Sequence, residues 1–264
     1  TLGVITKVSL RLSSSPHREI SSMVSVEKVD DAITLLKETK KRFGENVTAF
    51  EFISQSCLVA INNFLNHIKL PLGYNDSWQI IFEVINHDED SLSEFLEEQV
   101  NNGVVKNGLI AKNEKERNDF WLVRHSISEA EKLSGRGVHH DISLPIKKIP
   151  EFLETTIPAM EKVAGKSIVY TFGHLGDGNL HFTKKQPEDM DGDDFMNFSK
   201  EINAVVYEKA ESLGGSFSAE HGIGSKLKND LVKFSDPIKL DLMKKIKKTL
   251  DPKNIMNPDK LIDT

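Results

Sequence analysis

Hydrophobic positions along this chain alternate between extended runs and helical spacing. "REISSMVSV" (18–26), "NVTAFEFIS" (46–54), "WQIIFEVIN" (78–86), "SIVYTFGH" (167–174) and "LHFTK" (180–184) are short runs rich in β-branched and aromatic residues and read as strands. "GVHHDISLP" (137–145) reads as a strand closed by Pro145, and the opening "TLGVITKVSLRL" as another. Between them, Val29, Ala32, Ile33, Leu36 and Phe43 form a helical stripe over 27–43, ended by Gly44. Further helices are predicted up to Phe64 and over 88–102, 114–133, 146–164, 193–213 and 236–250. The second of these has an acidic first turn that suits its dipole, and Pro158 predicts a break in 146–164. Residues 70–77 read as a loop, and "GGSFSAEHGIG" (214–224) as a Gly-rich turn with a short strand.

Two blocks of similar β-α-β layout result, around 18–111 and 138–220. Hairpin connections between strands predict an α+β fold: an antiparallel sheet with helices on one face, built as two ferredoxin-like halves.

Composition narrows the classes. With 264 residues the chain can bury a core without covalent staples, and its one cysteine, Cys57, excludes an internal disulfide. The 34 basic and 40 acidic residues are well mixed, which gives no sign of a nucleic-acid surface. No apolar run is long enough for a transmembrane helix.

Chemistry concentrates in "YTFGHLGDGNLHF" (170–182). Asp177-Gly178 as a two-residue hairpin loop would set Leu175 opposite Leu180 and His174 opposite His181. Both imidazoles would then share a face, with Cβ atoms about 5 Å apart, close enough to converge on one metal ion. Two ordinary polar histidines beside a common turn remain the plain alternative. "SFSAEHGIGSK" (216–226) offers Glu220 as a third ligand, completing a His₂Glu set, and leaves His221 as a general base. A helix entry capped by Glu220 is the alternative there.

"GHLGDGNLHF", then "SAEHGIGSKLK", then "DPKNIMNPDKL" resemble in order the C-terminal domain of FAD-linked oxidases of the vanillyl-alcohol-oxidase type, over nearly the whole chain. The branch it looks most like is the D-2-hydroxyacid dehydrogenases, including those acting on D-lactate and D-2-hydroxyglutarate. The resemblance implies that residues 1–15 are the last strand of an FAD-binding domain lying upstream, 16–250 the substrate domain, and 251–264 a segment returning towards the flavin. It implies that His174, His181 and Glu220 bind a divalent metal, zinc in many members, and that His221 is the catalytic base. Arg124 in "FWLVRHSISEA" matches an arginine pairing with the substrate carboxylate, and Ser128 a substrate-contacting hydroxyl. Asn257 matches a residue near the flavin, with Lys260 close by. Without the resemblance, Arg124 reads as a solvated helix position and Asn257 as part of a plain turn before Pro258. Where dicarboxylate-specific members carry a lysine, this strand has His139 or His140, and Thr183 stands where some members have Asn. Substrate identity is set at these positions.

The implied reaction is oxidation of a D-2-hydroxy acid to the 2-oxo acid by hydride transfer to FAD. A quinone, cytochrome or flavoprotein would be the electron acceptor, and a homodimer is compatible with the chain. The implied compartment is intracellular: cytoplasm, the periphery of a membrane, or mitochondria in a eukaryote. The chain has neither a G-x-G-x-x-G stretch nor a P-loop, so by itself it is expected to bind FAD weakly and to be inactive. A His₂Glu hydrolase and a non-catalytic metal-stabilised module are the other readings open to these residues.

Overall fold

In the computed structural model, which describes every residue except Ser13 and Thr264, residues 16–219 form one compact unit, and residues 1–15 with 220–264 form another. The larger unit contains strands β1 (Glu19–Val26), β2 (Val47–Ser54), β3 (Trp78–Ile85), β4 (Asn107–Ile110), β5 (Gly137–Ser143), β6 (Val169–His174) and β7 (Asn179–Lys185). Its helices are α1 (Val29–Phe43), α2 (Gln55–Phe64), α3 (Glu89–Asn101), α4 (Glu114–Leu133), α5 (Ile149–Ala164), α6 (Gly192–Asn197) and α7 (Ser199–Ser212).

All pairings within the sheet are antiparallel, in the order β4-β1-β3-β2-β6-β7-β5. The first four strands, with α1 and α3, make a ferredoxin-like half into which α2 is inserted. The second half has β5, β6 and β7, and its fourth strand is reduced to one bridge, Ser143 to Ser216, closed by backbone hydrogen bonds of 3.0 and 2.8 Å. The halves join where β2 pairs with β6, Glu51 opposite His174 and Ile53 opposite Phe172.

Residues paired across antiparallel strands share a face, so the register sorts the sheet into two. One face carries Phe52, Ile80, Phe82, Ile142 and Phe182, all fully buried. There α5 lays Phe152 edge-on to Phe182 (5.2 Å), α7 sets Tyr207 against His140 (5.5 Å), and α1 packs beside α5. The other face is covered in part by α2 and α4, whose Leu58, Ile61, Phe120, Val123 and Ile127 form a core cluster with Met23, Ile81, Tyr170 and Phe172. The α+β antiparallel fold stands as expected, and α2 and α4 are additions on the second face that the sequence pattern did not place.

The smaller unit holds α8 (Lys228–Phe234) and α9 (Pro237–Leu250). Asp236 caps α9 by accepting from the Ile238 N–H at 2.7 Å, with Pro237 preset for the first turn. Its hub is the buried Lys247–Asp251 ion pair. Lys247 Nζ also donates to the carbonyls of Thr1 (2.9 Å) and Met256 (2.8 Å), tying both ends of this unit together. The Lys247 hydrogen bond holds the Asp251 carboxyl well below its ordinary range.

Several expectations are corrected. Residues 1–12 keep strand-like alternation but pair with no strand among the described residues; Val4, Ile5, Leu10 and Leu12 are exposed. α5 runs unbroken through Pro158, losing one backbone hydrogen bond rather than its course. The 193–213 helix is two helices, because at Phe198 the ladder tightens to an i→i−3 bond, Phe198 N–H to Phe195 O at 3.0 Å. β4 and α8 were not read from the sequence, and 214–224 forms only the Ser216 bridge.

The β6–β7 hairpin also differs. Phe172 pairs with His181 and Tyr170 with Thr183, so the loop is four residues long and His174 lies diagonal to His181. Asp177 does not take the positive φ that a type I′ turn demands; its carboxylate instead accepts the Asn179 N–H at 3.1 Å. The shift is by two residues, so parity is kept and both histidines still share a face.

Gly178 makes this loop possible: its φ is +82°, and a Cβ there would lie 2.1 Å from the Leu144 carbonyl oxygen. Gly178→Ala is expected to destabilise the protein by roughly 2–4 kcal/mol in denaturant unfolding. Gly176→Ala, whose Cβ would meet only Phe50 at 3.9 Å, should change stability by less than about 1 kcal/mol.

Candidate metal and carboxylate site

Alternation along β2 puts Glu51 on the face of Ile53, under α4. The Glu51 side chain is 4% exposed and has two partners. Arg124 donates from Nε to Oε2 at 2.7 Å, and the His174 ring faces Oε1 through Nδ1. Arg124 reaches this position because α4, started by Asn113 accepting the Glu116 N–H, packs Val123 and Ile127 into the core on either side of it. Its guanidinium carbon lies 4.7 Å from the centre of the Phe172 ring.

His181 continues the same face. Its ring centre is 4.8 Å from that of Phe172 and 6.1 Å from that of His174. On β5, Asp141 pairs with His181 and brings Oδ1 to 3.8 Å from Nδ1. Asn179 donates to the same carboxylate at 2.8 Å, and its own Oδ1 is buried with no hydrogen-bond partner. Two imidazoles, a carboxylate and an orphaned carbonyl oxygen thus lie along one face, a nitrogen–oxygen mixture of the kind that suits zinc and its first-row neighbours. Asp141 and His181 belong to a group whose donor atoms lie within 4.8 Å of one another, and His174 stands outside that group. A cleft of about 410 Å³ opens beside it, lined among others by Lys40, Thr48, Glu51, His174 and Asp177.

The remaining candidates fall in three places. Ser128 is exposed one turn beyond Arg124 on α4. His139 and Thr183 pair across β5 and β7 on the site face, the Thr183 hydroxyl 3.2 Å from His139 Nδ1. The same nitrogen is 3.1 Å from Oε1 of the buried Glu131. Burial acts to raise the Glu131 carboxyl, but hydrogen bonds from His139 and Thr183 outweigh it and leave it lowered. Glu220, His221, Asn257 and Lys260 belong to the smaller unit. Glu220 and His221 lie exposed in a bend directly after Ala219, whose N–H donates to the Asp141 carbonyl at 3.0 Å. Asn257 (φ +54°) donates to the Thr1 hydroxyl at 3.3 Å, and Lys260 is exposed.

The strand parity decides between the two adjacent histidines: His139 is on the site face and His140 is not. Sequence reading missed Glu51, Asp141, Asn179 and Glu131. A lone carboxylate in "TAFEFIS", at a position shared with inward residues, was the visible sign of the first.

A family model described as FAD linked oxidases, C-terminal domain, matches residues 15–261, and the chain belongs to that family. The mitochondrial D-2-hydroxyglutarate dehydrogenase of Arabidopsis thaliana is 31% identical over 99% of this chain and 46% of its own length. The D-2-hydroxyglutarate dehydrogenase of Stutzerimonas stutzeri (strain A1501) is 30% identical over 99% of this chain and 56% of its own length. The chain thus spans about half the length of the curated relatives it matches. Among solved structures, p-cresol methylhydroxylase with substrate bound shares the fold at a TM-score of 0.60 and 10% identity, over 94% of this chain and 53% of that one. The resemblance to the C-terminal domain of FAD-linked oxidases stands.

On the opposite face, His140 is fully buried between the Phe182 carbonyl (3.0 Å from Nδ1) and the Asn203 side chain (2.9 Å from Nε2). Burial pushes its pKa down to about 4, against the hydrogen bonds, which act to raise it. The unfolded chain, near the ordinary 6.5, takes the proton first as pH falls. Stability present above pH 6.5 is therefore lost between about 6.5 and 4, by about 3 kcal/mol from this residue. Nitrogen NMR should find His140 neutral at pH 5.5, and a protonated ring there would contradict its burial.

Proposed function

We propose that this chain is the substrate- and metal-binding part of an FAD-dependent dehydrogenase that oxidises a D-2-hydroxy acid to the 2-oxo acid. The observation that carries the reading is the Arg124–Glu51–His174 chain beside His181 on one sheet face: a carboxylate-binding group fixed next to a pair of metal-competent imidazoles. Family membership and similarity to D-2-hydroxyglutarate dehydrogenases support the choice of chemistry.

In this reading His174, His181 and Glu220 hold a divalent cation, zinc by preference. Glu220 is supported by chain connectivity, one residue beyond the Ala219 that is hydrogen-bonded to Asp141. Arg124 spends Nε on Glu51 and turns its terminal nitrogens to the substrate C1 carboxylate, which a planar fork binds in two places. Ser128 adds a hydroxyl on the same helix. His139, held by Glu131, and Thr183 meet the far end of the substrate and select among hydroxy acids. Asn257 and Lys260 approach the flavin. His221 takes the hydroxyl proton as C2 gives up its hydride, so that the C–O bond becomes a carbonyl. A cation held at these ligands would lower the hydroxyl pKa, and bound FAD would accept the hydride. FAD would then pass its electrons to a quinone, a cytochrome or another flavoprotein. A homodimer and a mitochondrial or cytoplasmic setting are compatible with the chain; mitochondrial names among the relatives support the former compartment. Among the described residues no helix is long and apolar enough to cross a membrane.

The test is the visible spectrum of the full-length protein: flavin bands bleached without oxygen by D-2-hydroxyglutarate or D-lactate are expected. Absence of flavin, or hydrolytic turnover without it, would contradict the reading. His221→Ala should lower turnover by roughly 10²–10⁴-fold with metal content near wild type. His181→Ala should lose metal and activity together. Equal metal loss in both variants would make His221 a ligand and leave the base to be sought elsewhere.

A further inference from the structure

Glu51 enters the functional reading above only as the link between Arg124 and His174, with no task of its own, yet its placement is unusual. It is a carboxylate, 3% exposed, in the middle of a sheet, where an unpaired charge is strongly unfavourable. Its two oxygens go to different functional side chains: Oε2 to Arg124 Nε and Oε1 to His174 Nδ1. Glu51 and His174 face each other in the β2–β6 register, so backbone pairing sets their meeting. Arg124 comes from a helix packed on that same face, and its guanidinium is steadied over Phe172.

Each bond constrains what its partner can do. A hydrogen bond from Nδ1–H to a carboxylate fixes the tautomer of His174, so that the lone pair sits on Nε2, and it makes that nitrogen a better donor to a cation. A hydrogen bond from Nε fixes the plane of the Arg124 guanidinium and therefore the direction of its terminal fork. We propose that Glu51 is the positioning residue of the site, a single carboxylate that orients both the metal-binding imidazole and the substrate-binding guanidinium. This rests on the reading of His174 as a metal ligand and of Arg124 as the carboxylate fork. The bland alternative is that Glu51 only neutralises a buried arginine. That role would leave metal affinity untouched.

The test is the affinity of the full-length protein for Zn²⁺, measured by competition with a chromophoric chelator, together with kcat and KM for the D-2-hydroxy acid. Glu51→Gln keeps the shape and an acceptor oxygen but removes the charge. It is expected to weaken zinc about 10–100-fold, in the range found when the carboxylate behind a ligating histidine is lost, and to raise KM as the fork loosens. Glu51→Asp restores the charge one methylene short, and it should recover part of the zinc affinity. Wild-type zinc affinity in folded Glu51→Gln, while His181→Ala has lost its metal, would overturn the proposal and leave the metal site standing. Zinc retained in both variants would instead overturn the metal reading itself. Should Glu51→Gln fail to fold, Glu51→Asp decides: affinity several-fold below wild type supports the positioning role, and unchanged affinity refutes it.

Discussion

A carboxylate inside a sheet costs several kcal/mol unless charged or hydrogen-bonding partners meet it, and Glu51 lies where the two half-sheets join. β2 and β6 are the strands across that seam, and Glu51 faces His174 in their register. Satisfying Glu51 requires the second half-sheet to sit in one register and α4 to lie over the seam. Those two demands position the rest of the site: Phe172 under Arg124, His181 beside Phe172, and Asp141 on the next strand out.

α4 meets the sheet through a repeating contact. Arg117, Arg124 and Glu131 stand seven residues apart, about 10 Å per step along the axis. They engage Glu19 and Glu83, then Glu51, then His139. The helix therefore crosses from the first half-sheet to β5, with an ion pair at each of the first two steps and a carboxylate–imidazole contact at the third. Glu83 makes the useful contrast with Glu51. It too is buried, but it is met by Trp121 Nε1 at 2.7 Å, by Ser21 and by Arg117, so its partners belong to packing rather than to the histidine cluster.

Most strands and helices were legible because each carries its own period: "WQIIFEVIN" is strongly apolar, with only Gln79 and Glu83 as polar residues inside β3, because both faces of β3 are covered, and α1 shows a clean stripe. What failed depended on partners far away in the chain. Residues 1–12 have strand spacing but no ladder partner among the described residues, and β4 is too short to show a pattern. The shared face of His174 and His181 was legible even though the hairpin register was read two residues off, because an even shift leaves parity unchanged. Glu51 and Asp141 were not legible as site residues. Their meaning comes from strands and a helix brought together only by the β2–β6 and β5–β7 pairings, which no local spacing announces.

The central claim is that one sheet face unites a cation held by His174 and His181 with a carboxylate held by Arg124. Anomalous diffraction at the zinc edge tests it directly, from crystals of the full-length protein grown with Zn²⁺ and D-2-hydroxyglutarate. The account predicts one zinc peak about 2.1 Å from Nε2 of His174 and from a ring nitrogen of His181, with a ligand carboxylate on the terminal nitrogens of Arg124. A zinc peak away from both imidazoles, or a ligand carboxylate bound elsewhere while Arg124 stays on Glu51 alone, would contradict it.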